Sequence, residues 1–188
     1  MQGRPEKDEE EIMADSEKIM LQVSPEVYHP FLVGEEEAWE PAWADEFQAD
    51  AIFIYEIAFY NGIEALRPWE KAEEFFPARI EQWEEVKSSI AALHGKRERL
   101  GLAELMRSAI GIFVQMLFWT NGQPARLDTP KEFMLLNVKP ANLNERLEFV
   151  LSSPLLYHSF IQLCELQAEL EKQRQKKASI EKAFKHKA

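Results

Sequence analysis

Glu26 and His29 stand three residues apart, the Glu-x-x-His spacing that in diiron bundles sets a carboxylate and an imidazole on one helix face. That chemistry takes a second such pair and two more carboxylates, and the chain offers no second pair. Pro30, directly after His29, also biases that histidine away from helical geometry, so no metal ligand is expected there. His158 lies between Tyr157 and Ser159, beside the apolar face of the last helix. It suits either a general base, with Glu165 two turns along, or a packed imidazole bonded to a backbone carbonyl. Cys164 is the single cysteine and has no histidine three or four residues away, so it reads as a small hydrophobe and no intrachain disulfide can form. Neither G-x-G-x-x-G nor G-x-x-x-x-G-K-[ST] occurs. The carboxylate runs Glu35–Glu37, Glu73–Glu74 and Glu84–Glu85 read as solvated faces. A pocket is better suggested by Arg67-Pro68-Trp69-Glu70, where Arg67 would hold an anionic group and Trp69 would supply an apolar wall. With His158 these two make up the candidate binding pocket. In the competing reading Trp69 and Trp119 fill the core, each worth about 3–5 kcal/mol on truncation to alanine. No catalytic residue, cofactor or metal is assigned.

The elements that would position these residues are helices. Leu102 to Gly122, LAELMRSAIGIFVQMLFWTNG, is amphipathic at first and then apolar on nearly every face from Ala109 to Trp119. A helix of that kind must be covered on all sides. The apolar run is about half of the ~20 residues that a membrane span takes, so it reads as the central helix of a bundle. Asn121-Gly122 closes it. Gly111 inside the run costs about 1 kcal/mol against alanine, which suits a neighbouring helix that must come close. Upstream, Asp45 is a good N-cap for a helix to Tyr60, with Phe47, Ala51, Ile54 and Ala58 as one stripe. Pro68 suits the first turn of a short helix and Pro77 that of the next, whose Ile80, Trp83, Val86, Ile90 and Leu93 share a face. A long connection from Gln123 to Asn142 contains a short apolar turn over Phe133–Leu136, Asn144 caps a helix to Leu151, and the last helix starts near Pro154. IAFYNG at 57–62 and LFWTNG at 117–122 end two helices in the same way.

The expected architecture is therefore all-α: a single-domain helical bundle over residues 23–170 with a proline- and aromatic-rich strap at its N-terminal side. Residues 1–22 read as an acidic, unstructured start, turning helical towards Leu21, and residues 171–188 as a basic helical arm. A hydrophobic fraction of 46% with five Trp and twelve Phe supplies the core, and only seven Gly suits long helices. The net charge of −11 is unevenly spread. Residues 1–85 hold 23 Asp/Glu against 6 Lys/Arg, while residues 86–188 hold 10 against 16. The acidic opening has no secretory h-region, so a cytoplasmic location is expected. In the last helix Leu163, Leu166, Leu170, Gln173, Lys177, Ile180 and Phe184 follow heptad spacing, a seam that would also serve a homodimer.

Four stretches together resemble the YpoC-like family of Gram-positive bacterial proteins: NGIEALRPWE at 61–70, IEQWEEVK at 80–87, FWTNGQPARLD at 118–128, and NERLEFVLSSPLLYHSFIQLCELQAELEK at 144–172. The resemblance covers roughly Pro30 to Lys172 and is most specific at FVLSSPLLYHSFIQL. It implies a small cytoplasmic bacterial helical protein and brings no activity and no site residue with it. From the residues alone, the expected role is a non-enzymatic protein–protein interaction or accessory factor. Its contact surface is placed at Trp39, Trp43, Lys172, Lys176 and Lys177. A protein is the expected partner, and no membrane contact is expected. The alternatives are a weak, salt-sensitive association of the basic C-terminal half with nucleic acid, or a small-molecule enzyme with its pocket near Arg67 and Trp69.

Overall fold

The computed structural model describes residues 18–128 and 130–185. Six helices carry the fold: α1 Ile54–Tyr60, α2 Ala72–Lys96, α3 Leu102–Thr120, α4 Pro130–Leu135, α5 Leu143–Ser152 and α6 Tyr157–Lys185. The chain is mostly helical, and the all-α expectation needs one correction: the strap contains two strands. β1 Ile19–Gln22 pairs antiparallel with β2 Glu36–Trp39, Ile19 facing Trp39 and Gln22 facing Glu36. The turns that Pro25 and Pro30 favour reverse the chain between them, with Val27 buried at the bend. The unstructured start expected to Gln22 is a strand from Ile19, and its first seventeen residues lie outside the described residues.

α3 is the axis. Every residue from Ala109 to Thr120 is buried. By length and composition it could cross a membrane, but 72% of its most apolar window is covered by the rest of the chain. Gly111 has the expected use, although its neighbour is the turn before α1 and not another helix. A β-carbon there would come within 3.0 Å of the Ile52 side chain.

The helix expected from Asp45 to Tyr60 is cut to its second half. Phe53 takes a left-handed φ of 62° as the N-cap of α1. The segment before it folds back so that Phe47 stacks on Tyr55, with ring centroids 5.6 Å apart. The Tyr55 hydroxyl pins this turn by accepting from the Gln48 N–H at 2.7 Å and donating to the Glu46 carbonyl at 2.8 Å. An aromatic stripe thus pays its way by stacking across a turn instead of along a helix. Pro68 opens a 3-10 turn, Pro68–Lys71, that runs into α2. Pro77 then lies inside α2 and does not begin a new helix; it forgoes one backbone bond while Phe76 and Arg79 on either side are buried.

The two Asn-Gly endings match in detail. Asn61 Nδ2 donates to the Ile57 carbonyl and Asn121 Nδ2 to the Leu117 carbonyl, while Gly62 and Gly122 take φ of 73° and 71°. α6 packs Leu163, Leu166 and Leu170 fully into the chain's own core, so that part of the heptad seam is used within the molecule. α6 runs antiparallel to α2: Tyr157 and Phe160 at its start meet His94 near the end of α2, and Arg174 meets Glu73 and Phe76 near its beginning.

Candidate functional site

Two kinds of site emerge, a buried polar centre and a set of surface cavities. The centre lies where α1, α2 and α3 meet. Glu56 is completely buried on α1 and accepts the Gln115 amide at 2.9 Å on one oxygen and the Trp119 indole N–H at 2.8 Å on the other. Burial pushes its carboxyl above the ordinary value, against the opposing effect of those two donors and of Arg79 nearby. Arg79, equally buried, lies over the faces of Phe47 and Trp119 at 5.2 and 5.3 Å. It donates to the Ala49 carbonyl and to Gln82 Oε1, the latter at 2.7 Å, and burial lowers its pKa to about 10. Its Nε and Nη2 find no protein partner. This centre ties three helices together, and its Trp119 also lines the cavity beside Trp69. Sequence reasoning missed it, although a lone Glu within IYEIAFY and a Gln within the most apolar run are the kind of signal that marks buried polar partners.

The Arg67, Trp69 and His158 candidates do not form one pocket. Trp69 is buried edge-on against Phe59 with centroids 5.3 Å apart, as its core reading requires. It also walls a cavity of about 330 Å³ whose cations are Lys71, Arg174 and Lys177. Arg67 is not among the residues lining that cavity; it lies over the Phe59 ring and pairs with Glu70 at 3.2 Å. His158 is in the first turn of α6, ~24 Å of helix from Arg174, in a shallow groove with Phe149 and Ile161. Charge and an aromatic neighbour pointed at Arg67, but the direction of each side chain was decided by packing.

The proposed contact surface is also rearranged. Trp39 is 3% exposed, so it belongs to the core. Trp43 is half-buried and meets Trp39 edge-on at 6.1 Å. Lys172 and Lys176 are exposed, whereas Lys177 donates to the Thr120 carbonyl at 2.6 Å. Arg174 sits on the Phe76 ring and bridges Glu73 and Glu171 at 2.9 and 2.8 Å. The arm expected to project from residue 171 is thus anchored to α2 and α3 at least as far as Lys177.

His29 is half-buried, its imidazole pushed towards the neutral form by burial, and its Nδ1 accepts the Phe31 N–H at 3.2 Å. It borders a groove of about 410 Å³ with Leu127, Phe133, Leu147 and Leu151. The two residues after Phe133, Met134 and Leu135, are 63% and 72% exposed. Among the described residues no group of three or more His, Cys, Asp or Glu is placed to hold a metal ion. Cys164 is half-buried, and burial raises its thiol pKa, the opposite of what a nucleophile needs.

Comparison with known proteins agrees with the resemblance seen in the residues. A protein of Bacillus subtilis (strain 168) named "Uncharacterized protein YpoC" is 34% identical over 107 residues, which cover 56% of this chain and 65% of that protein. No solved structure matches the chain. Residues 73–182, from the start of α2 to near the end of α6, match the family described as YpoC-like protein, and the chain belongs to that family.

Proposed function

We propose that this protein acts without a chemical step of its own, as an interaction or accessory factor whose groove between the strap, α4 and α5 receives apolar side chains of a protein partner. The observation that carries this reading is the pairing of that groove, about 410 Å³ and lined by Leu127, Phe133, Leu147 and Leu151, with the exposed Met134 and Leu135 beside it. Large aliphatic side chains left in water next to an apolar cleft lose the free energy of burial until something covers them. His29, Asn144 and Glu148 at the edges would give such a contact its polar rim. The nucleic-acid alternative is weakened because Arg174 and Lys177 are engaged within the chain. The enzyme alternative is weakened because Arg67, Trp69 and His158 share no cavity.

The test is affinity isolation of tagged full-length protein from nuclease-treated native lysate, with a Met134→Lys/Leu135→Lys variant alongside. A stoichiometric protein retained by the wild type and lost from the double variant supports the groove. Failure to recover a partner, or equal recovery by the double variant, overturns it.

A further inference from the structure

The antiparallel course of α2 and α6 brings two turns to one end of the bundle. His94, near the end of α2, has its ring 5.2 Å from that of Tyr157 and 5.7 Å from that of Phe160. The α2–α3 turn, residues 97–101, and the α5–α6 turn, residues 153–156, therefore lie at the same end of the fold. Both carry apolar tips in water, Leu100 at 93% exposure, Leu155 at 39% and Leu156 at 49%, and Tyr157 at the start of α6 is 54% exposed. Around Leu100 stand the exposed Lys96, Arg97 and Arg99, and among the described residues no ion pair engages any of them. Glu98 is the acid within that turn, Glu104 the next along the chain, and the exposed His158 follows Tyr157.

We infer that this end of the bundle is a docking surface for an anionic lipid bilayer, its leucines and tyrosine entering the interface while Lys96, Arg97 and Arg99 meet the phosphates. Shape favours lipid over a protein groove. Leu100, Leu155, Leu156 and Tyr157 line none of the cavities described above, so the surface is a set of separate knobs. A bilayer interface accepts such knobs with no matching relief, whereas a protein would need a pocket for each. Of the acids behind the net charge of −11, those of α2 lie away from this end. Glu73 and Glu74 sit at the far end of α2, ~35 Å of helix away, and Glu84 and Glu85 ~17 Å from Lys96. Both separations exceed the Debye length of about 8 Å at physiological salt. Of the charges on α2, the turn and the start of α3, the approaching lipid therefore meets Lys96, Arg97 and Arg99 against Glu98 and Glu104, a positive local balance. The contact is independent of the α4–α5 groove.

The measurement is co-sedimentation of full-length protein with vesicles of phosphatidylglycerol and phosphatidylcholine, and with phosphatidylcholine alone, at physiological salt. The wild type is expected to bind the anionic vesicles at least tenfold better than the neutral ones. Leu100→Glu, at a fully solvated position, and Arg97→Gln/Arg99→Gln should each lower that binding about tenfold with unchanged thermal melts. Met134→Lys/Leu135→Lys should leave it unchanged, which separates this surface from the groove. Equal binding to both vesicle types, or Leu100→Glu binding as well as the wild type, overturns the inference. So does a photo-crosslinker at position 100 that captures an acidic protein while the vesicles capture nothing.

Discussion

Gly111→Ala inserts a methyl group where the Ile52 side chain already sits. In an exposed helix that change stabilises by about 1 kcal/mol, because alanine loses less backbone entropy than glycine on folding. Here the new β-carbon would lie within 3.0 Å of Ile52 Cγ2 and 3.4 Å from Phe53 Cε2. Cγ2 is one bond from the Ile52 Cβ, itself 3.6 Å from the same point, so no flexible side-chain end can swing away. Relief needs the backbone turn before α1 to move, and Phe53 in that turn holds a left-handed φ of 62°. Overpacking of this kind costs about 1–3 kcal/mol, which outweighs the propensity gain and leaves a net loss of about 1 kcal/mol. For a chain of this size the melting temperature should fall by about 2–4 °C. Thermal and urea unfolding of four proteins checks the reasoning: wild type, Gly111→Ala, Ile52→Ala and the double variant. In the Ile52→Ala background the same glycine replacement should stabilise, because the clashing methyl is gone. A Gly111→Ala protein that melts above the wild type would refute the close approach.

Three more outcomes are expected. Trp119→Phe keeps a ring under Arg79 but removes the indole donor from Glu56, and urea unfolding should show a loss of about 1–3 kcal/mol, as for a buried polar group left without its partner. Trp69→Ala should lose about 3–5 kcal/mol as a core truncation, and a variant as stable as the wild type would contradict its packing on Phe59. Glu171 is pushed up by burial, but hydrogen bonds from Arg174 and Gln175 prevail and hold its carboxyl below the usual 4.5. Its contribution is therefore complete above that value and lost as pH falls through the depressed one. Amide exchange over residues 171–178, corrected for intrinsic rates, should accelerate as pH drops below about 4.5, and Glu171→Gln should remove that acid-dependent step.

What could be read directly from the residues were features that depend on near neighbours. The apolar run of α3, the stripe of α2, and the two Asn-Gly endings are local patterns, and local backbone physics decides them. The YpoC-like resemblance was also legible, since it rests on residue identity along the chain. Where a side chain's partner lay far along the chain, reading failed or stayed incomplete. Phe47 packs not only on Tyr55 but on the distant Phe75 and Trp119, and the expected Asp45–Tyr60 helix is cut to its second half. Trp39 looked like a surface residue until β1 and the core covered it. Arg174 and Lys177 read as part of a basic arm until α2 and α3 supplied Glu73, Phe76 and the Thr120 carbonyl. The same holds for Glu56, Arg79, Gln115 and Trp119, which come from three helices and meet only in the folded chain. Composition and periodicity determine which surfaces must be buried. Which partner buries them, and which cations and leucines are left facing outward, is settled only when helices far apart in sequence pack at fixed rotation, and the tertiary structure alone carries that information.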